Sequence, residues 1–150
     1  MKAIIQRVNY AKVETEGKVV AEIGKGMLVL VGIKTGDTVE QAKKLADKLV
    51  KLRIFEDESK KMNKSLLDIK GELLLVSQFT LIADTQKGNR PSFIQAERPE
   101  KAKQLYQILV DELKKKISLK NRFVWSLYAG FFAKRWSSNY YIRNIKTYDK

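Results

Sequence analysis

The chain has 150 residues, 44% of them hydrophobic and 31% charged, and its 30 Lys and Arg against 17 Asp and Glu give a net charge of +13. That length suits one domain with a real core, and the charge points to a polyanionic partner, nucleic acid first, or else to a lysine-rich solvated surface. With no Cys and no His, a disulfide framework, thiolate chemistry and a Ser-His-Asp triad are excluded, and zinc lacks its usual ligands.

Residues 2–8 (KAIIQRV) predict a strand, and 10–14 (YAKVE) its continuation after a break. Glu16-Gly17-Lys18 reads as a turn. VVAEI (19–23) and MLVLVGI (27–33) follow as strands, separated by Gly24 and Gly26. The earlier pieces alternate in polarity; the last is apolar throughout and belongs at the centre of a sheet. Asp37 to Leu52 predicts a helix, with Asp37 as N-cap, Glu40 at capping-box spacing, and one stripe of Ala42, Leu45, Ala46, Leu49 and Leu52. RIFEDESKKMNKSLLD reads as a loop with a short strand at its start. Gly71 opens a further strand, TQKGNRPS is a loop, and Pro99 sits at the first turn of a helix over about 99–117. The apolar face of that helix is Ala102, Leu105, Tyr106, Leu109, Val110, Leu113 and Ile117.

The expected fold is mixed α+β: a mostly antiparallel or mixed sheet with a barrel-like core and two main helices on one side, residues 1–150 forming a single domain. No apolar run reaches the roughly 18 residues of a membrane span. The N-terminal stretch meets polar residues too early for a signal peptide, so a cytoplasmic protein is expected.

The strand after Gly71 carries an anomaly. LLLVSQFTL sets Ser77, Gln78 and Thr80 among Val76, Phe79 and Leu81. An extended strand would put Ser77, Phe79 and Leu81 on one face and Gln78 and Thr80 on the other. A single Ser or Thr there would most simply bond neighbouring backbone. Three polar groups leading into a Gly-containing loop and Arg90-Pro91 indicate a site, because scaffolds present functional groups where strands enter loops.

SQFTL at 77–81, ADTQKGNRPSF at 83–93 and the opening IIQRV with Arg7 resemble the D-aminoacyl-tRNA deacylase family. GMLVLVGI, RIFEDESKKMNKSL and the two helices stand in the expected order, so the resemblance covers about residues 1–120. It implies a homodimer that hydrolyses the ester joining a D-amino acid to the 3′-terminal adenosine of tRNA, with clearance of glycine mischarged on tRNA(Ala) as a further activity, and without metal or cofactor. The matching catalytic residues are Ser77, Gln78 and Thr80. Thr80 serves either as nucleophile or, preferably, as a positioning group, because a threonine without a base is a poor nucleophile. The attacker is then water or the ribose 2′-OH. Gln78 and the backbone around Phe79 hold the carbonyl oxygen or the adenosine. Arg7 supports the chiral-selection loop, or else makes an ordinary salt bridge; Ser92 and Phe93 shape the pocket wall.

The resemblance stops after about residue 120. The family's C-terminal Gly-Pro motif, which rejects L-amino acids, is absent: the only prolines are Pro91 and Pro99. The last thirty residues hold 9 of the 14 aromatics, together with 6 basic residues and 1 acidic one. Permitted codons for Asn121 to Ile142, read one base later, give TGSFGAYMQVSLQNDGPVTII, which contains that motif. One extra A in an AAA AAC junction at Lys120-Asn121 produces the shift. The expectation is an out-of-frame tail. Taken as written, the tail's aromatics among Lys134, Arg135 and Arg143 suggest two rivals: a non-catalytic RNA-binding protein, or an interfacial membrane segment around Trp125 and Trp136.

Overall fold

The computed structural model describes residues 1–15, 18–86 and 88–117. In chain order these are β1 (Lys2–Val8), β2 (Ala11–Thr15), β3 (Lys18–Ile23), β4 (Gly26–Gly32), α1 (Val39–Lys51), β5 (Phe55–Glu56), β6 (Met62–Lys64), β7 (Glu72–Ser77), a 3₁₀ turn (Phe79–Ile82) and α2 (Pro99–Lys114). The tail reading and both of its rivals fall on residues outside this description.

Apolar β4 takes the central place expected of it. It pairs antiparallel with β1, from Lys2↔Gly32 to Val8↔Gly26, and parallel with β7, from Gly26↔Glu72 to Val31↔Ser77. Side chains alternate across the sheet. Met27, Val29, Val31, Leu73 and Leu75 face the two helices, among Ala42, Ala46, Leu49, Leu105, Leu109 and Leu113. Leu28, Leu74 and Val76 face the other way, onto Val8, Ala11, Val13, Ala21 and Ile23 from the β2–β3 hairpin and its approach. A central strand buried on both faces has no place for a polar side chain, which is why MLVLVG contains none. Buried Tyr106 on α2 donates its hydroxyl to Leu75 O at 3.0 Å, which ties the helix layer to β7.

Four features differ from the sequence expectation. The sheets are one of three strands and two of two strands, and none closes on itself, so the described residues form no closed barrel. The capping box lies one residue late: Gln41 N–H donates to Thr38 Oγ1 at 3.3 Å, and Thr38 N–H to Gln41 Oε1 at 2.8 Å. Asp37 is only 7% exposed. It turns back instead, accepting Lys34 N–H at 2.6 Å and the Met1 ammonium at 2.5 Å. A carboxylate gains more from a cation and a turn N–H than from a cap that threonine can supply. The segment expected to be loop contains a second short strand, β6, paired with β5. Finally β7 ends at Ser77, and the chain turns where continued extension was expected.

Both predicted helical faces are the buried ones, although α2 closes at Lys114 with Ile117 packed just beyond its end. No helix among the described residues is long and apolar enough to cross a membrane.

Gly26 sets how closely β4 and β7 approach. A Cβ there would lie 1.8 Å from the Glu72 carbonyl oxygen, which is backbone and cannot swing aside. Gly26→Ala is expected to cost about 3 kcal/mol or more, read as a lowered denaturant midpoint. An unchanged midpoint would show that the sheet is not set by this contact.

Candidate functional site

The site begins where β7 runs out of partner. Gln78 N–H donates to Val31 O at 2.7 Å, the last bond of the parallel ladder. Gly32 then comes so close that a Cβ would lie 3.0 Å from Gln78 O and from two Ile82 carbons. Without a strand to follow, residues 79–82 close on themselves: Leu81 N–H donates to Gln78 O at 3.2 Å and Ala83 N–H to Thr80 O at 3.1 Å. The turn ends the extended run expected for 77–81, yet Gln78 and Thr80, expected on one face, do lie together, with Gln78 Nε2 donating to Thr80 Oγ1.

Thr80 is exposed, whereas Ser77, Gln78 and Phe79 are half-buried. Among the described residues the side-chain partner of Thr80 Oγ1 is the Gln78 amide, with no carboxylate or amine in contact. The amide fills an acceptor position of the hydroxyl and leaves its hydrogen for an external acceptor. The arrangement can orient a polar group of a ligand, but it has no base to strip Thr80 of its proton.

The loop after the turn folds back on it. Asp84 and Ser92 exchange both backbone hydrogen bonds, each 2.8 Å. This closure carries Phe93 against Phe79, with ring centroids 5.2 Å apart at 62°, an edge-to-face contact. Ser77, Gln78, Phe79, Thr80, Ser92 and Phe93 therefore form one neighbourhood. Within the chain Arg7 is not part of it. In β1 Arg7 pairs with Met27, at the opposite end of β4 from Val31. Its guanidinium donates to Ile54 O at 3.0 Å and meets Glu56 at 3.4 Å, with its side chain 45% exposed. Nearby Asp57 is held below the usual carboxylate range, first by the Asn63 amide and then by the Lys61 and Ser59 N–H groups, and so fixes the β5–β6 connection.

Three supporting residues escaped the sequence reading. Lys2 donates its ammonium to Leu81 O at 3.0 Å, pinning the turn from β1. Asp84, besides its bridge to Ser92, accepts Gln86 N–H at 2.9 Å, a local turn that the Asp-x-Gln spacing could have signalled. Gly32 permits the close approach, and a glycine inside an apolar strand is the signal for that. Nothing in the sequence signals the pairing of Lys2 with Leu81, which depends on β1 lying beside β4. No group of three or more Asp or Glu side chains is placed to hold a metal ion among the described residues.

A family model described as D-Tyr-tRNA(Tyr) deacylase matches residues 4–138. A D-aminoacyl-tRNA deacylase of Lactobacillus acidophilus is 58% identical over 113 residues, covering 75% of this chain and 78% of the relative. One from Persephonella marina is 57% identical over 120 residues, covering 80% and 82%. Among solved structures, a c-Myc DNA unwinding element binding protein is 40% identical, covers 82% of this chain and 83% of that one, and superposes with a TM-score of 0.76. A probable eukaryotic D-amino acid tRNA deacylase, 19% identical with a TM-score of 0.67 over 79% of this chain and 69% of its own, shares the fold. The agreement spans the strands, the turn and both helices, and the chain belongs to the D-Tyr-tRNA(Tyr) deacylase family.

Proposed function

We propose that this chain hydrolyses the ester between a D-amino acid and the 3′-terminal adenosine of tRNA, acting in the cytoplasm as a homodimer. The observation that carries the reading is the turn at the end of β7, which presents Thr80 with its oxygen held by the Gln78 amide. The shared activity of the named relatives supports it.

The reaction needs geometry more than a strong base. An aminoacyl ester is already activated. Holding an attacking group in line contributes up to about 7–11 kcal/mol, and one well-placed oxyanion donor about 3–4 kcal/mol. Backbone N–H groups of the turn, Thr80's among them, take the carbonyl oxygen as charge develops on it. The Thr80 hydroxyl orients the attacker. Gln78 holds Thr80, and Phe79 with Phe93 walls the pocket beside Ser77 and Ser92. The attacker is water. Its oxygen bonds to the carbonyl carbon, the bond to the ribose oxygen breaks, and the water proton ends on that oxygen. Attack by the 2′-OH would only move the acyl group to the neighbouring oxygen and preserve an ester, so that hydroxyl serves to orient water. Glycine mischarged on tRNA(Ala) fits the same account, since it lacks the side chain that separates D from L.

We further infer that residues after about 120 are an out-of-frame reading of the family's C-terminus. The lengths aligned with the relatives, 113 to 120 residues, support this, although the family model runs on to residue 138. In the frame-corrected chain the Gly-Pro motif supplies discrimination against L-esters, and Arg7 supports the loop that carries it.

A second reading, a nucleic-acid-binding protein without turnover, draws on the name of the 40%-identical structure and on the +13 charge. Kinetics separate the two. Thr80→Ala is expected to slow D-Tyr-tRNA hydrolysis by about tenfold to a hundredfold, with tRNA affinity nearly unchanged and Thr80→Ser close to wild type. A fall to the buffer rate in Thr80→Ala that Thr80→Ser restores would make Thr80 the nucleophile. A frame-corrected chain that binds tRNA and releases no amino acid would leave only the binding reading. Replacing the terminal adenosine by its 2′-deoxy form is expected to slow the reaction about as much as Thr80→Ala, measured as single-turnover release of D-tyrosine.

A further inference from the structure

A cleft of about 530 Å³ opens beside the 3₁₀ turn, with Ile82 as the wall that the two share. Its polar side chains come from Lys2, Lys34, Asp84, Thr85, Gln86 and Gln95. Lys2 and Lys34 are far apart in sequence and are brought together by the β1–β4 pairing, in which Lys2 stands opposite Gly32.

The walls of this cleft are fixed. Lys34 N–H is held by Asp37 Oδ2 at 2.6 Å, and Lys34 bridges to Ala96. Thr35 N–H donates to Gln95 O at 2.9 Å, which seats Gln95 on the rim. Leu81 O accepts one hydrogen from the Lys2 ammonium, leaving two donors for a ligand. Among the described residues the Lys34 ammonium makes no ion pair. The charges favour an anion. The Met1 ammonium and Asp37 neutralise each other. Asp84 has one carboxylate oxygen committed to Gln86 N–H, and it stands as one negative charge against two ammonium groups. Two carboxamides, able to donate and to accept, complete a lining suited to a phosphodiester with polar sugar or base edges beside it.

The cleft lies at the far end of a turn that spans only about 6 Å along its axis, and the near end carries Gln78 and Thr80. One sugar separates a nucleotide's 3′ ester from its 5′ phosphate, a spacing of the same order. We propose that this cleft is an RNA-backbone subsite: it holds the phosphodiester 5′ to the terminal adenosine, so that a single-stranded 3′ end runs from Lys2 and Lys34 into the Ser77–Thr80 pocket. The proposal rests on the reading of the turn as the ester site and adds the contact by which a tRNA end is told from a free aminoacyl nucleoside.

The test is fluorescence anisotropy of a labelled single-stranded RNA ending in CCA, across a salt series, with the full chain. The variants are Lys34→Glu, Lys34→Arg and, as a control for general charge, Lys48→Glu. Lys48 lies in a separate basic groove with Lys44, Lys51 and Arg53. Lys34→Glu is expected to weaken binding about tenfold or more and to lower the log–log salt slope by about 0.7, the value of one single-strand phosphate contact. Lys34→Arg should bind nearly as wild type, and Lys48→Glu should change affinity less than Lys34→Glu does. Equal effects of Lys34→Glu and Lys48→Glu, or none from Lys34→Glu, would overturn the subsite, as would a wild-type chain that does not bind the RNA. D-tyrosine release by the frame-corrected chain reports separately on the ester site. Release without a Lys34 effect removes the subsite alone; a Lys34 effect without release upholds the subsite and removes the ester reading.

Discussion

Everything at the candidate site follows from where the parallel pairing of β4 and β7 stops. The ladder runs to Val31↔Ser77 and closes with Gln78 N–H on Val31 O at 2.7 Å. Beyond it Gly32 lets the chain pass so close that extension gives way to a 3₁₀ turn. The turn holds Gln78 beside Thr80, and the loop closure after it sets Phe93 against Phe79. A doubly buried sheet thus delivers a short turn whose exposed Thr80 hydroxyl is already positioned. The close backbone approaches lie in the sheet, and the polar side chains lie just outside it.

This placement explains how a chain without His or Cys can act on an ester. A threonine hydroxyl beside an amide is a weak nucleophile. Positioning and oxyanion donation, at roughly 7–11 and 3–4 kcal/mol, suffice for an activated ester whose leaving group is the terminal ribose oxygen. Charge serves the other half of the task. The tRNA backbone is the polyanion that a basic surface suits, and attraction to it is sequence-independent and salt-sensitive. In that kind of recognition phosphates are held and bases are left unread.

Much of the fold was legible because hydrophobic periodicity reports burial directly. MLVLVG had to be central, and the stripes of α1 and α2 had to face the sheet. Legibility failed where a local preference was outbid by a distant partner. Asp37 is a good cap by rule, yet the Met1 ammonium and Lys34 N–H claim it and Thr38 caps in its place. The alternation of LLLVSQFTL predicts a strand to Leu81, but a strand needs a neighbour, and β4 supplies none past Val31. At the site the polar triplet and the loop with Arg90-Pro91 could be singled out from residue types alone, and Ser92 and Phe93 from the resemblance. Their assembly could not, since it depends on the Asp84–Ser92 closure and on Lys2 reaching Leu81 O. Arg7 was grouped with the site on resemblance, and within the chain it stands at the other end of the sheet beside Glu56.

The central claim is that the turn at Ser77–Thr80 is built to cleave D-aminoacyl esters on tRNA. The most direct measurement is release of D-tyrosine from D-Tyr-tRNA beside release of L-tyrosine from L-Tyr-tRNA, for the chain as written and for its frame-corrected form. The account predicts that the corrected chain cleaves the D-ester and spares the L-ester. Folded protein that cleaves neither ester in either form would contradict it.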